Sequence, residues 1–243
     1  MAVASFRFHG ELSEFLAPGR RGERFAYACA RAATLKNAIE ALGVPHTEAA
    51  IVLVNGQRAT LPRIVREGDD IEVYPGRGEA LLPGRPVFVA DAHLGALTRF
   101  LRMLGFDTLH DEHIADEHIR RLAWEERRIV LTRDRDLLKC RDIAMGCYVH
   151  ERKPEAQLRE VAARYDLAAQ ASPFTLCLLC NLPLNDVPRT AVVERVPPDV
   201  ARRHEHFVRC AGCERVYWPG SHYARMREAL GRLLDPTGLQ HEP

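Results

Sequence analysis

Two short apolar runs that stop at acids constrain this chain more than any other feature. Val87-Phe88-Val89-Ala90 ends at Asp91, and Ile129-Val130-Leu131-Thr132 continues through Arg133 to Asp134 and Asp136. An apolar run of about four to eight residues followed by a helical pattern reads as a strand buried on both faces, the kind found in parallel sheets. The carboxyl ends of such strands form the edge at which open α/β sheets bind ligands. Asp91 and Asp134 are therefore expected at that edge, and Asp116-Glu117 opens a helical pattern between them.

The surrounding pattern supports the same sheet. Leu94, Leu97, Leu101 and Leu104 recur at helical spacing and stop at Gly105. A weak strand follows at 106–109, then a helix from about 116 to 126 with Ile119, Leu122 and Ala123 inward. Strands at 128–132 and 146–149 and a helix at 154–165 complete the series. Alternating strands and helices imply right-handed crossovers and a parallel sheet with helices on both faces. Arg99 and Arg102 fall off the leucine stripe and are expected to face solvent or phosphate.

A single aspartate past a strand end is ordinarily a helix N-cap, and Asp116 also suits a first-turn dipole partner. Taken together, Asp91, Asp116, Asp134 and Asp136 make a cluster whose carboxylates repel unless protons or cations neutralise them. Hard oxygen ligands of this kind suit Mg²⁺ or Mn²⁺, as phosphodiester cleavage requires. Asp116 and Glu117 adjoin, and one turn of helix is not phased by sequence, so either is the ligand. Arg133, Arg135, Lys139 and Arg141 surround the acids, either to steer a phosphate backbone or as a solvated face.

Of seven cysteines, four form two Cys-x-x-Cys pairs, Cys177/Cys180 and Cys210/Cys213. Two such knuckles make a tetrahedral Zn²⁺ site, and four thiolates leave no open position for water, so the site is structural. His204, His206 and His222 are surplus to it, and Cys29, Cys140 and Cys147 read as small buried hydrophobes. The first residues lack the apolar core of a signal peptide, and no run approaches the ~18 apolar residues of a spanning helix. The expected location is the cytoplasm, away from membranes. A net charge of +1 decides nothing about nucleic acid, but residues 195–232 carry eight arginines against four acids. That excess, with Arg202, Arg203 and Arg225 in it and Phe207, Tyr217, Trp218 and Tyr223 interleaved, suits single-stranded RNA. The aromatics equally suit the small core of a ribbon.

Before the first acid, Phe6 and Phe8 alternate with polar neighbours, as do Phe25, Tyr27 and Cys29, which predicts two strands. Thr34 caps a helix, Asn55-Gly56 turns a hairpin and residues 71–74 form a last strand. This order is that of a β-grasp domain. The text VNGQRATLPRIVREGDDIEVYP resembles ubiquitin-like sulfur carriers, although the chain continues past Gly76 and Gly78 where those carriers end. Residues 77–86 read as a linker.

The runs DAHLGALTRFLRMLGFDT, DEHI and IVLTRDRDLL, followed by the two cysteine pairs and Trp218-Pro219-Gly220-Ser221-His222, resemble the Mut-seven carboxy-terminal RNase family. That resemblance implies a ubiquitin-like β-grasp domain at 1–78, a PIN-like RNase domain at 86–168 and a zinc ribbon with a C-terminal helix at 170–235. It implies a Mg²⁺- or Mn²⁺-dependent ribonuclease whose acids map onto Asp91, Asp116, Asp134 and Asp136. Arg133 and Arg135 would join Arg202, Arg203 and Arg225 in contacting RNA, and the β-grasp domain would meet a protein partner. The alternative is a non-catalytic RNA-binding or ribosome-associated adaptor whose acids merely cap helices.

Overall fold

The computed structural model describes residues 1–76 and 84–234, in which the chain forms three sheets. The first comprises β1 (Ala2–Phe8), β2 (Phe25–Cys29), β3 (Ala49–Val54), β4 (Gln57–Ala59) and β5 (Asp70–Pro75) in the order β2-β1-β5-β3-β4. Helix α1 (Leu35–Ala41) crosses this sheet. The Thr34 hydroxyl accepts from the Asn37 N–H at 3.2 Å, and the Asn37 side chain accepts from the Thr34 N–H at 3.3 Å, a closed capping box. Asn55 and Gly56 hold φ of 53° and 77°, as a two-residue hairpin with type I′ twist requires. Phe6, Phe8, Leu35, Ile39, Ile71 and Val73 meet in one core, giving the expected ubiquitin-like β-grasp. Residues 77–83, where sequence reasoning set most of the linker and Gly78, lie outside the described residues.

The second sheet comprises β6 (Phe88–Ala90), β7 (Thr108–Leu109), β8 (Ile129–Thr132) and β9 (Gly146–Tyr148), all parallel, in the order β7-β6-β8-β9. Helix α2 (Gly95–Met103) joins β6 to β7, and α3 (Asp116–Glu125) joins β7 to β8. The chain leaves β6 to one side and returns to the other, so order reverses between β6 and β8. The pleat divides the strand residues. Phe88, Ala90, Ile129 and Leu131 face Leu97 and Leu101 of α2, together with Leu158 and Val161 of α4 (Pro154–Tyr165). Val89 and Val130 face Ile119, Leu122 and Ala123 of α3. Helices thus cover both faces, as right-handed crossovers of opposite direction demand.

After α5 (Leu167–Gln170), a three-stranded antiparallel ribbon comprises β10 (Leu184–Val187), β11 (Phe207–Cys210) and β12 (Val216–Tyr217), with α6 (Pro198–Arg203) in its insert. Asn181 is left-handed, φ 62°, and its side chain is bound to Asp107 and to the Thr108 N–H, so extended structure starts only after Pro183. Helix α7 (Ser221–Leu234) returns to α4 and buries Leu230 in the core shared with α2.

Polar bolts join the parts. Glu48, fully buried, accepts from the Tyr148 N–H at 2.7 Å and from Arg164 Nη1 at 2.5 Å, tying the β-grasp to β9 and α4. His46 Nε2 adds a 3.0 Å contact to the Ile143 carbonyl. Arg102 does not face solvent or phosphate as expected from its place off the leucine stripe. It is buried and donates to the carbonyls of Thr108 (3.0 Å), Leu178 (3.0 Å) and Leu179 (2.8 Å), because the ribbon covers that side of α2. Glu48→Ala strands the Arg164 charge in the interior and is expected to cost about 3–5 kcal/mol of unfolding free energy, read from urea denaturation; a loss within ~0.5 kcal/mol would contradict the bolt.

Candidate functional site

Asp91 lies just past β6, where its N–H still donates to the Leu131 carbonyl at 3.0 Å. Its Oδ2 accepts from the Thr132 hydroxyl at 2.7 Å, and the same hydroxyl accepts from the Asp134 N–H at 2.9 Å. Thr132 is fully buried at the end of β8, so one hydroxyl fixes both aspartates across the adjacent strands. Oδ1 of Asp134 accepts from the N–H groups of Asp136 (2.7 Å) and Leu137 (3.3 Å). The ordinary capping role is therefore real for Asp134, but it occupies one oxygen only. Asp116 is the first residue of α3, exposed and without a capping bond; the cap position belongs to Ala115.

Asp91, Asp116, Asp134 and Asp136 all line one depression, which also takes in His93, Arg135 and Lys139. Gly43, at the end of α1, and Tyr148 form its far wall, so the β-grasp borders it. Glu117 turns instead into a neighbouring groove on α3. Asp136 is the loosest of the four: its side chain is 89% exposed and pairs with Lys139 at 3.0 Å. The Lys139 ammonium holds the Asp136 carboxyl below the usual carboxylate range. Sequence reasoning passed over His93, whose position two residues after Asp91 was the available signal.

The donor set of the depression is carboxylate oxygen, which fits a hard divalent cation. Among the described residues, the one group of three or more His, Cys, Asp or Glu side chains whose ligand atoms lie within 4.8 Å of one another is the cysteine quartet. A cation that keeps several of its waters, as Mg²⁺ does, needs only a few direct carboxylate ligands.

Cys177, Cys180, Cys210 and Cys213 meet this limit, with Cys177 and Cys213 sulfurs 3.7 Å apart. A tetrahedron of thiolates at ~2.3 Å from a central ion sets its sulfurs ~3.8 Å apart. The knuckles are closed by N–H groups pointing at sulfur, Cys180 to Cys177 at 3.5 Å and Gly212 to Cys210 at 3.4 Å. Burial alone would raise the Cys177 thiol, but the Tyr217 hydroxyl at 3.3 Å and nearby N–H donors outweigh it and bring the pKa down to about 6. The crowding of the sulfurs pushes the Cys180 thiol up to about 12, so four thiolates coexist here only around a cation. Among the described residues, His204 and His206 stand outside this group.

The basic residues divide. Arg133 and Arg135 both line the depression, and Arg133 is also bound to the carbonyls of His150 and Glu151, bracing the loop after β9. Arg202, Arg203 and Arg225 are exposed on α6 and α7. Of the aromatics expected to grip bases, Phe207 is buried, Trp218 packs on the ribbon core and Tyr223 lies against Phe174 at 4.1 Å. A domain this small spends its aromatics on its own core.

With this geometry in hand, the comparisons are specific. The family model described as Mut7-C RNAse domain matches residues 86–230, and Mut7-C ubiquitin matches residues 1–80. Two crystal structures of small archaeal modifier protein 1 from Haloferax volcanii are similar to part of the chain. One is 24% identical and covers 31% of this chain and 98% of that one, with a TM-score of 0.25. The other is 23% identical and covers 30% and 94%, also with a TM-score of 0.25. No curated protein matches. No helix among the described residues is long and apolar enough to cross a membrane.

Asp107 makes a checkable link between sheet and ribbon. Burial raises its carboxyl, but Arg128 at 2.8 and 3.0 Å and the Asn181 amide at 2.6 Å outweigh that and hold it below the usual range. A depressed folded-state pKa stabilises fully above about pH 4 and is lost as pH falls through the folded value. Denaturant unfolding from pH 6 to pH 2 is expected to show a smaller acid-dependent loss in Asp107→Asn than in wild type.

Proposed function

Because the chain belongs to the Mut7-C RNAse domain family, we propose that it is a metal-dependent ribonuclease that hydrolyses RNA phosphodiester bonds at the aspartate depression. The observation that carries this reading is the meeting of Asp91, Asp116, Asp134 and Asp136 in one depression beside the strand-order reversal. Asp91 and Asp134, steadied through Thr132, are the principal metal holders, with Asp116 opposite and Asp136 at the rim. A bound Mg²⁺ or Mn²⁺ supplies a water of lowered pKa and neutralises charge on the phosphate. Arg133, Arg135 and Lys139, all lining the depression, attract the phosphate backbone. The division at 1–78, 86–168 and 170–235 is retained, with Zn²⁺ in the cysteine quartet as a structural ion and Arg202, Arg203 and Arg225 as an outer RNA contact. The ubiquitin-like domain takes a protein partner on the surface it leaves exposed.

One observation favours the adaptor reading: Asp134 does cap a turn. The two readings part on a single assay. Cleavage of single-stranded and structured RNA is expected only with Mg²⁺ or Mn²⁺, and Asp134→Asn is expected to lower kcat by on the order of a hundredfold. An RNA-binding protein that cuts nothing with either ion, or a variant that cuts at the wild-type rate, would leave the adaptor. Elemental analysis is expected to find one zinc per chain, absent in Cys210→Ala, whose melting point also falls.

A further inference from the structure

Beside the depression, α3 carries a groove of about 920 Å³ whose lining shares no residue with that of the depression. Its most unusual member is Trp124, 69% exposed. The inward face of α3 is filled by Ile119, Leu122 and Ala123, so the core has no use for this indole. Leaving so large an apolar ring in water is unfavourable unless something else covers it. Arg120 and Asp142 are locked together at 2.8–3.0 Å and fix one wall. Arg121 and Arg141 are exposed and make no ion pair among the described residues. Glu117 also lines the groove but is ion-paired with neither of them. A flat aromatic face beside two guanidinium groups without an ion pair is the pairing that holds single-stranded nucleic acid, the base on the ring and the phosphates on the cations.

Position strengthens the chemistry. Ala115 lines the groove and the next residue, Asp116, lines the depression, so the two hollows adjoin at the start of α3. Eight residues of helix separate Asp116 from Trp124, about 12 Å along the axis. That distance is three or four stacked nucleotides at ~3.4 Å each. We propose that this groove is a single-stranded RNA subsite: one base stacks on Trp124, flanking phosphates pair with Arg121 and Arg141, and the strand runs on into the aspartate depression. The proposal rests on the ribonuclease reading for its substrate, but its residues are separate from the aspartates.

The test uses the full chain and a fluorescein-labelled 2′-O-methyl oligouridylate of twelve nucleotides, with no divalent ion added, followed by anisotropy. Trp124→Ala is expected to weaken binding by about 5- to 150-fold, the range of one lost base stack, and Trp124→Phe to recover most of it. Arg121→Ala and Arg141→Ala are each expected to weaken binding and to lower the slope of log K against log salt by about 0.7. In RNA cleavage the Trp124→Ala defect falls on KM rather than kcat. Wild-type binding and KM in Trp124→Ala, with Asp134→Asn inactive, would overturn the subsite and leave the ribonuclease reading standing. Weakened binding in Trp124→Ala, with Asp134→Asn as active as wild type, would do the reverse. If sedimentation shows a wild-type dimer that Trp124→Ala dissociates, with oligonucleotide affinity unchanged, the ring covers a second copy of the chain and the subsite is wrong.

Discussion

Everything in the catalytic half depends on the handedness of two crossovers. A parallel strand connection closes compactly only as a right-handed turn, so a chain that leaves β6 in opposite directions must put α2 on one face and α3 on the other. The same reversal opens a gap between the carboxyl ends of β6 and β8, because the loops leaving them part company there. Asp91 and Asp134 occupy that gap, and Thr132 binds one aspartate through its hydroxyl hydrogen and the other's N–H through its lone pair. Two carboxylates are thereby held in register by one buried side chain.

The three sheets are small, and the apolar contacts between their parts, such as Tyr148 on the β-grasp core and Leu230 against α2 and α4, carry no directionality to fix relative placement. Buried polar groups take over that task. Glu48 between Tyr148 and Arg164 does so on one side, and Arg102 with Asp107 and Asn181 on the other. A buried charge tolerates little displacement, since losing its partner leaves it desolvated and unpaired. The first joint brings Gly43 and Tyr148 to the rim of the depression. The second sets the carbonyls of Leu178 and Leu179, inside the first cysteine knuckle, on the Arg102 guanidinium. The first cysteine knuckle is thus tied mechanically to α2.

Much of this was legible beforehand. The capping box at Thr34, the turn at Asn55-Gly56, the helices from Asp116 and Pro154 and the alternation of strand and helix all follow from residues near one another in sequence. The cysteine quartet was equally plain, because metal knuckles have a fixed local spacing. Arg102 was misread, since its position off an apolar stripe signals solvent only when nothing else covers the helix. The ribbon aromatics were ambiguous for the same reason, and Trp124 was passed over because a lone tryptophan on a helix reads as core until its exposure is known.

Sequence by itself determined the elements, the two ends at which acids emerge and the thiolate ligands, because hydrophobic period, capping and knuckle spacing act within a few residues. Tertiary structure alone decided that Asp116 faces the depression while Glu117 faces the groove, that Arg133 serves backbone carbonyls and that Arg102 is a bolt. It also decided that the β-grasp walls the candidate site. Those outcomes depend on which surface comes to lie against each side chain, and that is fixed by contacts between residues tens of positions apart, as between Glu48 and Arg164.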